Sequence, residues 1–497
     1  MNEFLNRHAT RLGLLCLVLA ACLLLVQHWG LWLSNSDDAS ILQQSMEEIH
    51  KGATEQGRFW LIPIYLLAQL PYKLGSWAFA NGVKILVNGA VLAAFVAFWS
   101  KLIDVRTGVL AGLVWLGFID VSPGYYSPFH GYLMMFNLEF IALFSGFAWY
   151  VHRLRQTQRD DLIVGPYLMF GFSLLAYEPM LFYAGVFPLL AVSVNAQLLF
   201  SAQPWPDKRV VLFHFVWAWL RRNIMLLVVV AAYISVYFLY RKFTGVAGRG
   251  IDGQGEFSAI FKTIYRFSVY GFRVDTSLLS SYVAGVTPTW QFAVSVLYGL
   301  LVVTGVAILV PRNHWLERMS VRARWLAVLA LAFYMFIPNS LHGMVEGYRQ
   351  WAVEDPHYVG NYFSSFAFAP LLMVGLLFLF GAGLAYREKA LFVVVLYIVL
   401  CSATNNQMRW MSMAGTNRGD AALWERAIAD LEKTLWANTP AVPLVCGRRA
   451  PEKVSGDDRY FSRYLSERLG HSVQFQSKNL TTAKCDVTID FNQYRYP

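Results

Sequence analysis

The chain has 497 residues, of which 57% are hydrophobic, 16% aromatic and 14% charged. Soluble domains carry roughly 25% charge, so these proportions exclude an ordinary soluble protein and point to a chain solvated mainly by lipid. The formal net charge of +10 is not a nucleic-acid signature, because Lys and Arg fall largely in short segments between apolar runs, as in the cytoplasmic loops of membrane proteins.

Taken in order, the apolar runs lie at 10–33, 59–79, 82–100, 107–120, 131–151, 162–177, 180–200, 223–241, 286–310, 325–341, 364–386 and 389–403. They are continuous rather than alternating, and most are long enough to cross a hydrocarbon layer about 30 Å thick. In that layer only helices and closed barrels satisfy every backbone polar group, so helices are expected. Leu19-Ala20-Ala21-Cys22 matches a lipobox and follows Arg7 and Arg11, but the apolar run continues to Leu33. The segment therefore reads as an uncleaved first span rather than a signal.

Basic clusters mark the cytoplasmic side: Arg153/Arg155/Arg159, Lys208/Arg209/Arg221/Arg222, Arg312/Arg318/Arg322/Arg324 and Arg387/Lys389. That leaves 34–58, 121–130, the Tyr177-Glu178 turn, 242–285, 342–363 and 404–497 outside. Twelve runs starting from a cytoplasmic N-terminus would return the C-terminus inside, against the charge signal. One run must fail to span, either the short 107–120 or 59–79 with its Pro63 and Pro71. The expectation is an all-α polytopic membrane protein of about 11 transmembrane helices over 1–403. A small α/β or α+β soluble domain follows over 404–497, with a helix-like stretch to Leu435, a strand at 442–446, a helix at 459–469, and strands at 473–475 and 487–491. Five cysteines are too few for a disulfide scaffold. Cys446 and Cys485 are the two in the polar C-terminal segment, and can bridge if it lies outside the cytoplasm.

The external segments collect the unusual polar residues. Asp37-Asp38 directly follows the first span, and Gln56-Gly57-Arg58-Phe59-Trp60 opens the next run. Carboxylates held beside lipid are functional candidates by default, although a mere membrane boundary explains them too. Segment 242–285 is glycine-rich and basic, with Arg241 and Lys242 at its start, and 342–363 carries His342, Glu346, Tyr348, Arg349 and Tyr358. Glu178 is a lone acid where two apolar runs meet, and Pro179 breaks the helix there. Carboxylates opposite basic loops suit a reaction on a lipid phosphate: an acid takes a hydroxyl proton, and Arg or Lys hold the departing phosphate. Glu47-x-x-His50 has the spacing of half a metal site but no second copy, and no Walker or dinucleotide pattern is present. No metal ligand set and no cofactor follow, with a divalent ion left open.

One helix, then Asp37-Asp38, then Gly57-Arg58-Phe59-Trp60 entering the next helix resembles the integral-membrane glycosyltransferases of the GT-C class, in particular bacterial O-antigen glucosyltransferases of the Gtr type. The Tyr177-Glu178-Pro179 break and Glu346-Gly347-Tyr348-Arg349, with Tyr358 and Tyr362 before a helix, also look like features of that family. The likeness in topology covers 1–403. It implies an inverting transfer of glucose or another hexose from a polyprenyl-phosphate donor to a periplasmic lipopolysaccharide, O-antigen or related glycan acceptor, free or lipid-linked. It also implies the bacterial inner membrane, a cytoplasmic N-terminus and a periplasmic C-terminal domain. Asp37 or Asp38 is then the base, with the choice open, and Arg58 faces the same cavity. Glu178, His342 and Tyr358 are further substrate-binding candidates, while Lys242 and Arg349 are phosphate ligands on chemistry alone. The implied partners are membrane lipid, a donor-synthesising glycosyltransferase and a flippase of the same pathway, with no nucleic acid. Three other readings remain: an O-antigen polymerase or ligase, which would lean on arginine-rich loops; a lipid-linked sugar transporter, which would show internal repeats and charges at mid-membrane; and a non-catalytic assembly factor, for which the acidic pair would be dispensable.

Overall fold

The computed structural model describes residues 2–31, 36–58, 61–119, 121, 127–156, 162–175, 177–194, 205–245, 256–269, 274, 276, 289–316, 319, 321–345, 348–350, 359–380, 386–435, 442–448, 458–476 and 485–490. The chain begins with α1 (Asn2–Leu25), α2 (Ser36–Gln43), α3 (Met46–Gln56), α4 (Leu61–Leu74), α5 (Trp77–Leu102) and α6 (Val105–Phe118). It continues with α7 (Met135–Arg155), α8 (Gly165–Ser173), a 3-10 stretch Glu178–Gly185, α9 (Val186–Val194), α10 (Trp205–Arg222) and α11 (Ile224–Thr244). Next come α12 (Phe257–Val269), α13 (Thr289–Leu309), α14 (Val321–Phe336), the short α15 (Ser340–Gly343), α16 (Val359–Phe380) and α17 (Tyr386–Leu435). The last elements are β1 (Leu444–Arg448), α18 (Asp458–Leu469), β2 (Gln474–Gln476) and β3 (Val487–Asp490).

Among the described residues, eight helical segments are long and apolar enough to cross a membrane, and Val105–Phe118 and Glu178–Val194 are shorter apolar helices. The chain is thus a multi-pass, mostly helical membrane protein. Run 107–120 is the 14-residue α6, only about 21 Å long at 1.5 Å per residue. Run 59–79 contains α4, also 14 residues, and run 162–177 contains the nine-residue α8. Every residue of α6 from Thr107 to Phe118 is buried, because the helix sits among α1, α5, α13, α16 and α17. Gly108 permits its closest approach: a Cβ there would meet Val96 O at 2.5 Å and Ser100 Oγ at 2.0 Å. In lipid, where apolar burial drives little association, such close backbone packing supplies much of the helix–helix attraction.

The polar sequence after Cys401 hides a continuation. α17 is one helix of 50 residues, running through the expected boundary between 403 and 404. Asn406, Gln407 and Trp410 face inward and donate side-chain hydrogen bonds to the carbonyls of Gly117, Leu23 and Leu24 at 3.2, 3.1 and 2.8 Å. Trp410, Met413 and Ala414 therefore belong to the large membrane core, and Trp424, Ala427, Ile428 and Leu431 to a second core with Phe461, Leu465, Phe475 and Ile489. The strands form one parallel sheet in the order β2-β1-β3, with Leu444 opposite Gln474 and Val445 opposite Val487. Parallel strands with a crossover helix make the appendage α/β. Cys446 and Cys485, 39 residues apart, form a disulfide.

Candidate functional site

The acidic pair lies on α2, so both residues are helical rather than in an extended loop. Asp37's side chain falls outside the described residues. Asp38 is buried, and its Oδ1 accepts a hydrogen bond from the backbone N–H of Leu133 at 3.1 Å. Leu133 is unusual: Tyr132, Leu133 and Met134 have φ of 57°, 45° and 70°, three successive non-glycine residues in the left-handed region. Each such residue costs about 1–3 kcal/mol and persists only when its surroundings hold it.

The segment leading into this turn is held at three successive carbonyls. Asn137 Nδ2 donates to Pro128 O at 2.9 Å, Asn88 Nδ2 and His28 Nε2 contact Phe129 O at 3.2 and 2.9 Å, and the buried Lys84 ammonium donates to His130 O. Asn137 and Asn88 are joined in turn at 3.0 Å. The Asp38 charge acts on both Lys84 and Tyr72, so one buried carboxylate serves the turn's backbone and partly compensates a buried cation. A charge left unpaired there would be strongly destabilising.

The second group gathers at the helix break. Arg58 forms a two-pronged pair with Glu178, Nε to Oε1 at 2.6 Å and a terminal nitrogen to Oε2 at 3.0 Å. This fork-on-carboxylate geometry fixes orientation as well as charge. Burial works against the Arg58 charge, but Glu178 in the main, with Tyr348 and Tyr177, more than offsets it and holds the guanidinium above its ordinary pKa. The capping box of Ser45 with Glu48 starts α3, and left-handed Gly57 ends it. A Cβ on Gly57 would meet the Arg241 side chain at 2.7 Å, so glycine is needed there both for its φ and for its neighbour.

Residue 177 extends the group. Glu178-Pro179 opens the 3-10 stretch just after Tyr177, which is extended. The Tyr177 hydroxyl bonds to His342 Nε2, while His342 Nδ1 lies 3.0 Å from Asn339 Oδ1. Asn339 Nδ2 donates to Ser268 and Ser364 at 3.0 and 2.9 Å, so its oxygen faces His342. That assigns the proton to Nδ1 and makes Nε2 an acceptor for Tyr177. Rings connect the two groups: Tyr132 to Phe136 at 4.9 Å, Phe136 to Tyr177 at 5.3 Å, and Tyr177 to His342 at 5.5 Å.

The structure thus brings together Arg58, Glu178 and His342, and sets Asp38 at the other end of the aromatic chain. Arg349 lies nearby, donating to Gly343 O at 3.2 Å. Lys242 is exposed at the end of α11, and Arg241 beside it packs over Gly57 and the Tyr237 ring. Glu346 and Tyr358 lie outside the described residues. Sequence reasoning missed Lys84 and Glu139, both buried. Their signal was a lone charge inside an apolar run, the same signal that singled out Glu178. Glu139 acts electrostatically, with Glu178 and Arg58, on Tyr233 of α11. Among the described residues, no group of three or more His, Cys, Asp and Glu side chains is placed to hold a metal ion.

No family model matches the chain, and no curated protein matches it. Solved structures similar to it include ArnT from Cupriavidus metallidurans, in the apo state and bound to undecaprenyl phosphate. Each has a TM-score of 0.35 and 14% identity over 97% of this chain, and 89% and 90% of those chains respectively. The apo oligosaccharyltransferase of Archaeoglobus fulgidus gives a TM-score of 0.39 and 12% identity over 93% of this chain and 64% of that one. All three TM-scores lie below 0.5, so these likenesses carry no assignment of fold or activity.

Proposed function

We propose that the chain is a GT-C-type membrane glycosyltransferase that moves a sugar from a polyprenyl-phosphate donor to a glycan acceptor, with inversion at the anomeric carbon. The observation that carries the reading is the Arg58–Glu178 fork at the helix break, joined by rings to the turn that Asp38 of α2 holds. In the reaction, Asp37 takes the proton from an acceptor hydroxyl. The hydroxyl oxygen then attacks the anomeric carbon from the face opposite the phosphate. The carbon–oxygen bond to phosphate breaks, and the phosphate departs with the electron pair. Asp38, already engaged with Leu133, positions α2 rather than accepting the proton. Arg58, oriented by Glu178, stabilises the leaving phosphate, since a fixed cation aimed at developing charge contributes most in a dry site.

Orientation follows the same reading. The Cys446–Cys485 disulfide suits an oxidising compartment and so supports a periplasmic appendage and α2–α3 end on a bacterial inner membrane. Sugar and acceptor are set by pocket shape, with an O-antigen or related lipopolysaccharide glycan as the class the resemblance favours. A donor-making glycosyltransferase and a flippase supply the substrate upstream. The test is to reconstitute the purified protein in liposomes with a polyprenyl-phosphate hexose and lipid-linked glycans extracted from the source bacterium. Release of polyprenyl phosphate coupled to a new glycosidic bond of inverted configuration supports the reading. Glycan polymerisation without consumption of the single-sugar donor would replace it with a polymerase.

A further inference from the structure

A cavity of about 580 Å³ lies where three parts of the chain meet: the α2–α3 connection, the junction of α4 and α5, and α18 of the appendage. Its size falls in the range of ordinary ligand sites. Tyr72 and Trp77 line it as a steeply inclined ring pair with centroids 5.1 Å apart, and Tyr464 of α18 lines it too. Arg463 also lines it, and is locked to Glu48. Gln43, a lining residue, has a buried side-chain oxygen with no hydrogen-bond partner among the described residues.

These features favour one ligand chemistry. Three cations line the cavity, but Arg463 and Arg468 are paired with Glu48 and Glu425, and Glu467 stands among the lining residues with Lys73, so the cavity is not arranged to capture a bare phosphate. What it offers is ring faces for C–H groups and an unfilled amide acceptor. An oligosaccharide matches both. The cavity also adjoins the candidate site, because Tyr72 lies within reach of the Asp38 charge and α2 leads directly into Gln43. We propose that this cavity is a saccharide subsite that holds the acceptor chain between the appendage and α2. The acceptor role rests on the transferase reading; saccharide binding does not.

The test uses the full-length protein in detergent on an array of short bacterial oligosaccharides, with no donor present. The parent should bind a subset. Gln43→Ala should weaken that binding by about tenfold, the scale of one lost neutral hydrogen bond, at an unchanged melting temperature. Trp77→Phe, which keeps an aromatic face, should weaken it less. No saccharide binding by the parent would overturn the proposal, as would Gln43→Ala binding equal to the parent. So would complete displacement of the saccharide by inositol hexakisphosphate, which would mark an anion site. Because no transfer is read, failure of the transferase reading and failure of this one are separate results.

Discussion

Replacing Asp38 by Asn removes a charge that acts on Lys84 and weakens the bond to Leu133 that holds a left-handed turn. Leaving a buried cation without compensation typically costs about 3–5 kcal/mol. Asp38→Asn should therefore lower the melting temperature in detergent, and adding Lys84→Met should recover much of the loss. A double variant no more stable than Asp38→Asn would mean that Lys84 is not the charge Asp38 compensates. At the helix break, Arg58→Ala, Glu178→Gln and their combination form a thermodynamic cycle. The short two-pronged contact predicts a coupling of about 1–3 kcal/mol, and Arg58→Lys should not restore it, because an ammonium cannot reproduce the fork. Purely additive effects would dismiss the pair. Arg58, Glu178 and His342 were legible in the sequence because each is a polar residue beside an apolar run. The binding of Asp38 to Leu133 was not legible, since nothing in residues 127–134 announces three left-handed non-glycine residues in a row.

Among the elements, α6 and α3 give the sharpest expectations. Gly108→Val would press a side chain into the Val96 carbonyl, so α5 and α6 must separate. Such overpacking costs about 1–3 kcal/mol, seen as a lower melting temperature, while Gly52→Val, at an open position, should have a much smaller effect. On α3, Arg463 of the appendage holds the Glu48 carboxyl down to about 2 from an ordinary value of 4.5, helped by the Ser45 backbone. A depressed folded-state pKa contributes stability that is full above 4.5 and lost as pH falls through about 2. Both side chains are more than a third exposed, so solvent screening limits the pair to under about 1 kcal/mol. Parent and Glu48→Gln should differ in melting temperature at neutral pH and converge below pH 2–3. A constant difference across that window would remove the ion pair from the account. The apolar runs were readable from hydropathy alone. The continuity of α17 was not, because Asn405, Asn406 and Gln407 look like solvent-facing residues while all are buried, and Asn406 and Gln407 bond to neighbouring helices, which only the packed bundle reveals.

At the scale of the whole molecule, the membrane helices, the 50-residue α17 and the α/β appendage converge on the end of the bundle that carries α2. If that end is periplasmic, thiol labelling under denaturing, non-reducing conditions leaves Cys446 and Cys485 unmodified, and a reporter fused after Pro497 is active only outside the cytoplasm. Full labelling of either cysteine would remove the disulfide from the account, and a reporter signal in the cytoplasm would reverse the orientation. The central claim is that α2 carries the catalytic base, with its two acids in different roles. It is tested most directly by measuring transfer from a polyprenyl-phosphate sugar with Asp37→Asn at matched protein level and melting temperature. The account predicts a loss of about 10²–10⁴-fold in rate, the usual contribution of a general base, with an unchanged melting temperature. Transfer by Asp37→Asn at the parental rate would contradict it.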